Sequence, residues 1–252
     1  MTKNKSLGFL LALLLIASLM LISGCTSQGK TAGTAAPGKM TSAAPDSVYK
    51  RPADVATAAD AKKLLIEGNE RFVSGKLANK DLGQAKRDEL LKGQHPFAAV
   101  VSCSDSRVPP ELLFDQGLGD IFIIRDAGNI VDPVSMGSVE YAVEHVKVPL
   151  VVVLGHEKCG AVTATVQGGE APGSIGSIVQ TIKPSVDKAK ASGSNSQEEL
   201  IEKSADENIK AVVAEIEKSP VVKEAIEHGH VKVMGAKYHL ATGQVEWLDA
   251  GK

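Results

Sequence analysis

Two short stretches hold most of the residues able to do chemistry. VVSCSDSRVP, residues 100–109, places a thiol (Cys103), a carboxylate (Asp105) and a guanidinium (Arg107) at the end of an apolar run, and VLGHEKCGAV, residues 153–162, carries His156 and Cys159. Cys103, His156 and Cys159 offer two thiolates and an imidazole, a soft set suited to zinc. Three protein ligands leave the fourth position open, as a catalytic zinc requires. The H-x-x-C spacing lets one loop or first helical turn supply two ligands, with Cys103 arriving from a neighbouring strand end. Plainer readings compete. Once Cys25 is set aside, Cys103 and Cys159 are the only other cysteines, and outside the cytoplasm an even pair reads as a disulfide. Asp105 and Arg107 alone would pass for a strand-end ion pair, and His156 for a loop histidine. None of these explains why all five residues crowd two segments.

The elements around them point to one architecture. PFAAVVSC (96–103), DIFIIRDA (120–127) and PLVVVLGH (149–156) are short apolar runs of strand length, as expected for strands buried on both faces. Helical spacing predicts helices over 59–74, 83–92, 135–146, 160–167, 175–191 and 197–217, with a further short one from Pro220. The end, 230–249, is expected to form two strands joined at Thr242-Gly243. Strands alternating with helices imply an α/β domain on a mostly parallel sheet flanked by helices. Ligands of such sheets bind beyond the carboxyl ends of the strands, and Cys103 and His156 close two of those ends. His228 and His230 would share one side of a strand. With no third donor nearby, they are taken as solvent-facing.

CSDSRVPP (103–110), RDAGN (125–129) and GHEKCGAV (155–162) together resemble the β-class carbonic anhydrases, a likeness that runs from about residue 60 to 249. The resemblance implies one Zn²⁺ per subunit on Cys103, His156 and Cys159, with Asp105 and Arg107 as the dyad beside it. It implies reversible hydration of CO2 to bicarbonate and a proton by zinc-bound hydroxide. Water on zinc has its pKa lowered to about 7 in carbonic anhydrase with a differently ligated metal, which is the source of the figure; two thiolates should make this zinc a weaker Lewis acid, so a neighbouring acceptor matters. Asp105 would accept a hydrogen bond from the nucleophile while Arg107 keeps it ionised and oriented. In some members the aspartate swings onto the metal and closes the site, helped by a tryptophan and an arginine. Here Val100 occupies the tryptophan position, although Arg125 matches the arginine, and Gln94 matches the substrate-orienting glutamine of open members. An open site is therefore expected.

By the same resemblance, Phe122 and Tyr141 wall the CO2 pocket, with core packing as the alternative. His145 is a proton-shuttle position or a structural histidine, and Gly160 offers its N–H to substrate or permits close packing. The family implies a homodimer or homotetramer with sites near the interface. Two other functions use the same residues: a CS2 or COS hydrolase, and a non-catalytic zinc or redox lipoprotein with a Cys103–Cys159 disulfide. Asp105, Arg107 and Gln94 speak against the second, since zinc storage needs none of them.

The N-terminus bears on location. Lys3 and Lys5 precede an uncharged run from Leu7 to Ser23, followed by Gly24-Cys25. A basic start, an apolar centre and small residues describe a secretory signal. LISGC resembles the lipobox of bacterial lipoproteins, which implies removal of 1–24 and lipidation of Cys25. An uncleaved anchor helix is the alternative, and either places the domain outside the cytoplasm on a membrane. Residues 25–58, rich in Thr, Ala, Ser, Gly and Pro, are expected to be a flexible tether, leaving 59–252 as the domain. Removing Lys3 and Lys5 leaves 26 basic side chains against 30 acidic ones, a net of −4. That balance offers no basic face for nucleic acid.

Overall fold

The structure, a computed structural model, describes residues 48–248. The expected signal segment 1–24, Cys25 and the tether as far as residue 47 lie outside the described residues. Among the described residues, no helix is long and apolar enough to cross a membrane.

Five strands form one sheet: β1 (Ala98–Ser102), β2 (Ile121–Arg125), β3 (Leu150–His156), β4 (Lys232–Tyr238) and β5 (Val245–Leu248), in the order β2-β1-β3-β4-β5. The first four are parallel and β5 pairs antiparallel with β4. β1 and β3 are buried at every position, which is why their sequences are continuous apolar runs rather than alternating ones. Ala98, Val100, Leu150, Val152 and Leu154 pack on one face of the sheet with Ala61, Leu64 and Leu65 of α1 (Ala58–Val73). Ala99, Val101, Val151 and Val153 pack on the other. There they meet α4 (Pro133–Glu144), α7 (Gln197–Lys218) and α8 (Pro220–Glu227). The remaining helices are α2 (Gln84–Leu90), α3 (Pro110–Leu113), α5 (Gly160–Gln167) and α6 (Ile175–Ala191).

Caps set where the helices begin. Asp132 Oδ1 accepts hydrogen bonds from the N–H groups of Val134 and Ser135, at 2.9 and 2.8 Å, and Pro133 takes the first helical position. An aspartate cap followed by proline is a strong start signal, so α4 begins two residues before the periodic run at 135 predicts. Ser196 Oγ caps α7 through the Glu199 N–H. The one-turn helix α3 was not expected, because four residues are too few to show a helical period.

The domain boundary lies earlier than residue 59. Tyr49 donates its N–H to the Asn79 carbonyl, Arg51 pairs with Asp120 at 2.7 Å and bonds the His95 carbonyl, and Val55 packs on the core. Composition hid this attachment, because single anchors scattered along a small-residue stretch make no pattern.

Close approach of α7 to the sheet depends on two glycines. A Cβ on Gly155 of β3 would stand 2.5 Å from Ile209 Cγ1, and one on Gly235 of β4 would stand 2.8 Å from Ile209 Cγ2. Ile209 fills the space both side chains would need.

Candidate metal centre

The parallel sheet delivers the chemistry to one edge. Cys103 follows the last residue of β1, His156 is the last residue of β3, and Cys159 is the N-cap of α5 three residues on. All three are buried, and one donor atom from each lies within 4.8 Å of the others, the one such group among the described residues. Both cysteines are free, not bonded to each other, so the disulfide reading is not realised.

The donors fit zinc. His156 Nδ1 sits 2.8 Å from the Glu157 carbonyl, while its Nε2 is buried with no hydrogen-bond partner. A carbonyl on Nδ1 fixes that nitrogen as the N–H and leaves Nε2 as a free lone pair, the usual arrangement behind a metal-binding histidine. With Zn–S near 2.3 Å and Zn–N near 2.0 Å, tetrahedral ligand atoms stand about 3.5–3.8 Å apart, compatible with three donors that all lie within 4.8 Å of one another.

Charge points the same way. Cys103 is held at a pKa of about 4, first by the hydrogen bond from the Cys159 thiol and further by the N–H groups of Gly128 and Asp105, against the opposing effect of burial. Cys159, facing that thiolate, is pushed well above the ordinary thiol range by the shared hydrogen bond, by burial and by the neighbouring charge. Without a cation the pair holds one negative charge; a dication between the sulfurs favours two.

Asp105 stands at the mouth of the trio, its Oδ2 3.9 Å from His156 Nε2. Arg107 grips both carboxylate oxygens, Nε to Oδ1 at 2.9 Å and Nη2 to Oδ2 at 2.7 Å, and its backbone N–H adds a further bond to Oδ1. That guanidinium holds the Asp105 carboxyl down at about 2, although burial works in the other direction.

Several supporting contacts of the motif residues were not legible beforehand. Arg125 donates from Nε to the Cys103 carbonyl at 2.9 Å and from Nη2 to the Asp105 carbonyl at 2.7 Å. Gly128, at φ 78°, turns its N–H onto Cys103 Sγ at 3.2 Å. A side chain there would meet Ile182 at 2.6 Å, so RDAGN needs this glycine for both conformation and space. Glu157 is fixed by His239 at 2.7 Å and by the Leu240 N–H at 2.9 Å.

The remaining expected site residues lie elsewhere. Gln94 is exposed ahead of β1, and Phe122, opposite Ala99 in the register, is near the start of β2. Four residues of strand separate Ala99 from Cys103, about 13 Å at 3.3 Å per residue. The Tyr141 ring lies 6.2 Å from Phe122, and the His145 ring 5.1 Å from Tyr141. These four therefore gather toward the amino ends of the strands, and one chain does not bring them to its own cysteines. Gly160 begins α5, and an added Cβ there would meet nothing within 4 Å, so packing within the chain does not explain it. His228 caps α8 and His230 follows in a bend rather than a strand, both exposed, with ring centroids 5.8 Å apart.

A mostly parallel sheet with a Cys2His trio at its carboxyl edge and an aspartate–arginine pair beside it has the donor set of a zinc site with one open position. The carbonic anhydrase family profile matches residues 98–245. A carbonic anhydrase of Mycolicibacterium smegmatis is 41% identical over 189 residues, covering 73% of this chain and 90% of that protein. Carbonic anhydrase 2 of Mycobacterium tuberculosis is 39% identical over 191 residues, 74% and 91% of the two chains. Among solved structures, a β-carbonic anhydrase of Aspergillus fumigatus superposes with a TM-score of 0.61 at 31% identity, covering 67% of this chain and 84% of that one. A tetrameric β-carbonic anhydrase of Sordaria macrospora gives 0.61 at 27% identity, covering 66% and 87%. The chain belongs to the carbonic anhydrase family, in its β class.

Proposed function

We propose that the chain hydrates CO2 reversibly at a zinc held by Cys103, His156 and Cys159, with Asp105 as the hydrogen-bond acceptor that orients the attacking water and Arg107 as its anchor. The observation carrying this reading is the convergence of three buried donors beside a carboxylate whose two oxygens are both gripped by one guanidinium. When bound, zinc supplies a Lewis acid that lowers the pKa of a coordinated water toward neutrality. Asp105, kept ionised by Arg107, would accept a hydrogen bond from a zinc-held water or hydroxide and so direct its lone pair toward CO2. With Arg107 on both oxygens, Asp105 is not free to swing to the metal, which supports an open site. His156 is held in one tautomer by the Glu157 carbonyl, and burial of the trio keeps bulk water off the sulfurs.

The apolar side of the pocket is supplied by a second copy. Gln94, Phe122, Tyr141 and His145 lie too far from their own cysteines to serve them, and the tetrameric relative of Sordaria macrospora supports self-association. The domain works outside the cytoplasm, lipidated at Cys25 and tethered to a membrane; the lipobox-like LISGC supports this. Cys25→Ser should move the protein from the membrane pellet to the soluble fraction, and an unchanged pellet would contradict the anchor.

Stopped-flow CO2 hydration of zinc-assayed protein tests the chemistry. Asp105→Asn should keep its zinc and lose turnover by at least about a hundredfold, in line with loss of a positioned hydrogen-bond acceptor that orients the nucleophile. Unchanged turnover would remove Asp105 from the mechanism. Faster hydrolysis of COS or CS2 than hydration of CO2 would favour the alternative substrates.

A further inference from the structure

The two ligands of the β3–α5 loop are separated by Glu157 and Lys158, and Lys158 has φ 51°. A residue with a Cβ enters this left-handed region at a cost, so something must hold it there. The Lys158 N–H donates to Glu202 Oε1 of α7 at 3.0 Å. The other oxygen of the same carboxylate, Oε2, lies 2.9 Å from Lys237 Nζ. Lys237 sits in β4 opposite Gly155, one position before His156, and its side chain is only 8% exposed. Its ammonium also pairs with Asp206 at 2.8 Å. The Glu202 carboxylate is thus fixed on one side by a buried cation from the strand next to β3, and presents its other oxygen to the ligand loop. Asp206, one helical turn later, shares the cation but does not touch the loop.

We infer that Glu202 is a positioning residue for the metal centre: through the Lys158 N–H it holds the loop in the left-handed turn that carries Cys159 to Cys103 and His156. The inference rests on the zinc assignment. It predicts that removing Glu202 loosens the grip on metal, whereas removing Asp206 takes away a partner of the same ammonium and leaves the grip intact.

The measurement is the rate of zinc transfer from purified full-length protein to an excess of a colorimetric chelator, with the absorption of the cobalt-substituted protein as a second readout. Glu202→Ala should release zinc at least tenfold faster and alter the cobalt–thiolate spectrum, while Asp206→Ala stays within twofold of wild type with its spectrum unchanged. Adding Lys158→Gly to Glu202→Ala should restore slow release, because glycine enters the left-handed region freely. Glu202→Gln keeps an acceptor for the Lys158 N–H and should release slowly, which tests the idea even if the alanine variant fails to fold. Wild-type release from Glu202→Ala, equal acceleration in Asp206→Ala, or tenfold faster release from Glu202→Gln would each overturn the role. Wild-type protein that retains no zinc would instead sink the metal assignment, and this inference with it.

Discussion

At the scale of single residues, the chain spends charge where burial makes it count. Asp115, its side chain 1% exposed, lies between Arg71 and Lys80 and also accepts the Ala78 N–H. Burial alone would raise its carboxyl, but the Lys80 ammonium, the Arg71 guanidinium and the backbone donor outweigh it and hold it below the ordinary carboxylate value. A depressed folded pKa means that the stabilisation is fully present above the unfolded value near 4 and is lost as pH falls through the folded one. Asp115→Asn should therefore cost about 3 kcal/mol at neutral pH, as expected when one partner of a buried pair is removed. The gap from wild type should stay constant from pH 7 to about pH 5 and narrow as urea titrations are carried below about pH 4. A gap independent of pH would remove the carboxylate as its source. Asn suits the position otherwise, because Asp115 has φ 49°, which asparagine tolerates well.

At the scale of elements, what was legible in the sequence and what was not divide by range. The runs that became β1 and β3 announced themselves because a strand covered on both faces must be apolar throughout, whereas β2, an edge strand only partly buried in the single chain, is apolar beyond what its own chain covers. The metal trio was legible because the H-x-x-C pair and the thiol after β1 sit where a parallel sheet presents its ligands. The Ile209 ridge over Gly155 and Gly235 was not, since nothing near GHEKCG marks a partner more than fifty residues away. The same holds for the Glu157–His239 contact, a long-range pairing of residues unremarkable in their own neighbourhoods, while Arg125 was marked by its motif but its clamp on the Cys103 and Asp105 carbonyls was not. The ridge makes a prediction. Gly155→Ala should destabilise the metal-free protein by about 1–3 kcal/mol through overpacking, measured by urea unfolding. Ile209→Ala in the same chain should recover part of that loss, because the two sites are in contact and their effects do not add.

At the scale of the molecule, metal and pocket residues occupy opposite ends of the strands, so the proposed site needs two chains. Gln94→Ala should keep zinc and lose turnover, and Cys159→Ser should lose zinc altogether. Unfolding and refolding the two variants together should restore roughly one quarter of wild-type activity, because half of randomly formed two-fold pairs are mixed and each has one complete site of two. No recovery, with mixed assemblies verified by mass, would place Gln94 in the service of its own chain or of none. Phe122→Ala should behave like Gln94→Ala in the same mixing, whereas Asp105→Asn, acting within its own chain, should complement Gln94→Ala but not Cys159→Ser.

The Arg125 guanidinium spends two of its N–H groups on the carbonyls of Cys103 and Asp105, and that bears on how product acts on the enzyme. An arginine committed to backbone is a poor receptor for a regulatory anion. Added bicarbonate should compete with substrate hyperbolically, and the rate should rise with pH along a single-proton curve, without the steep sigmoid of an allosteric switch.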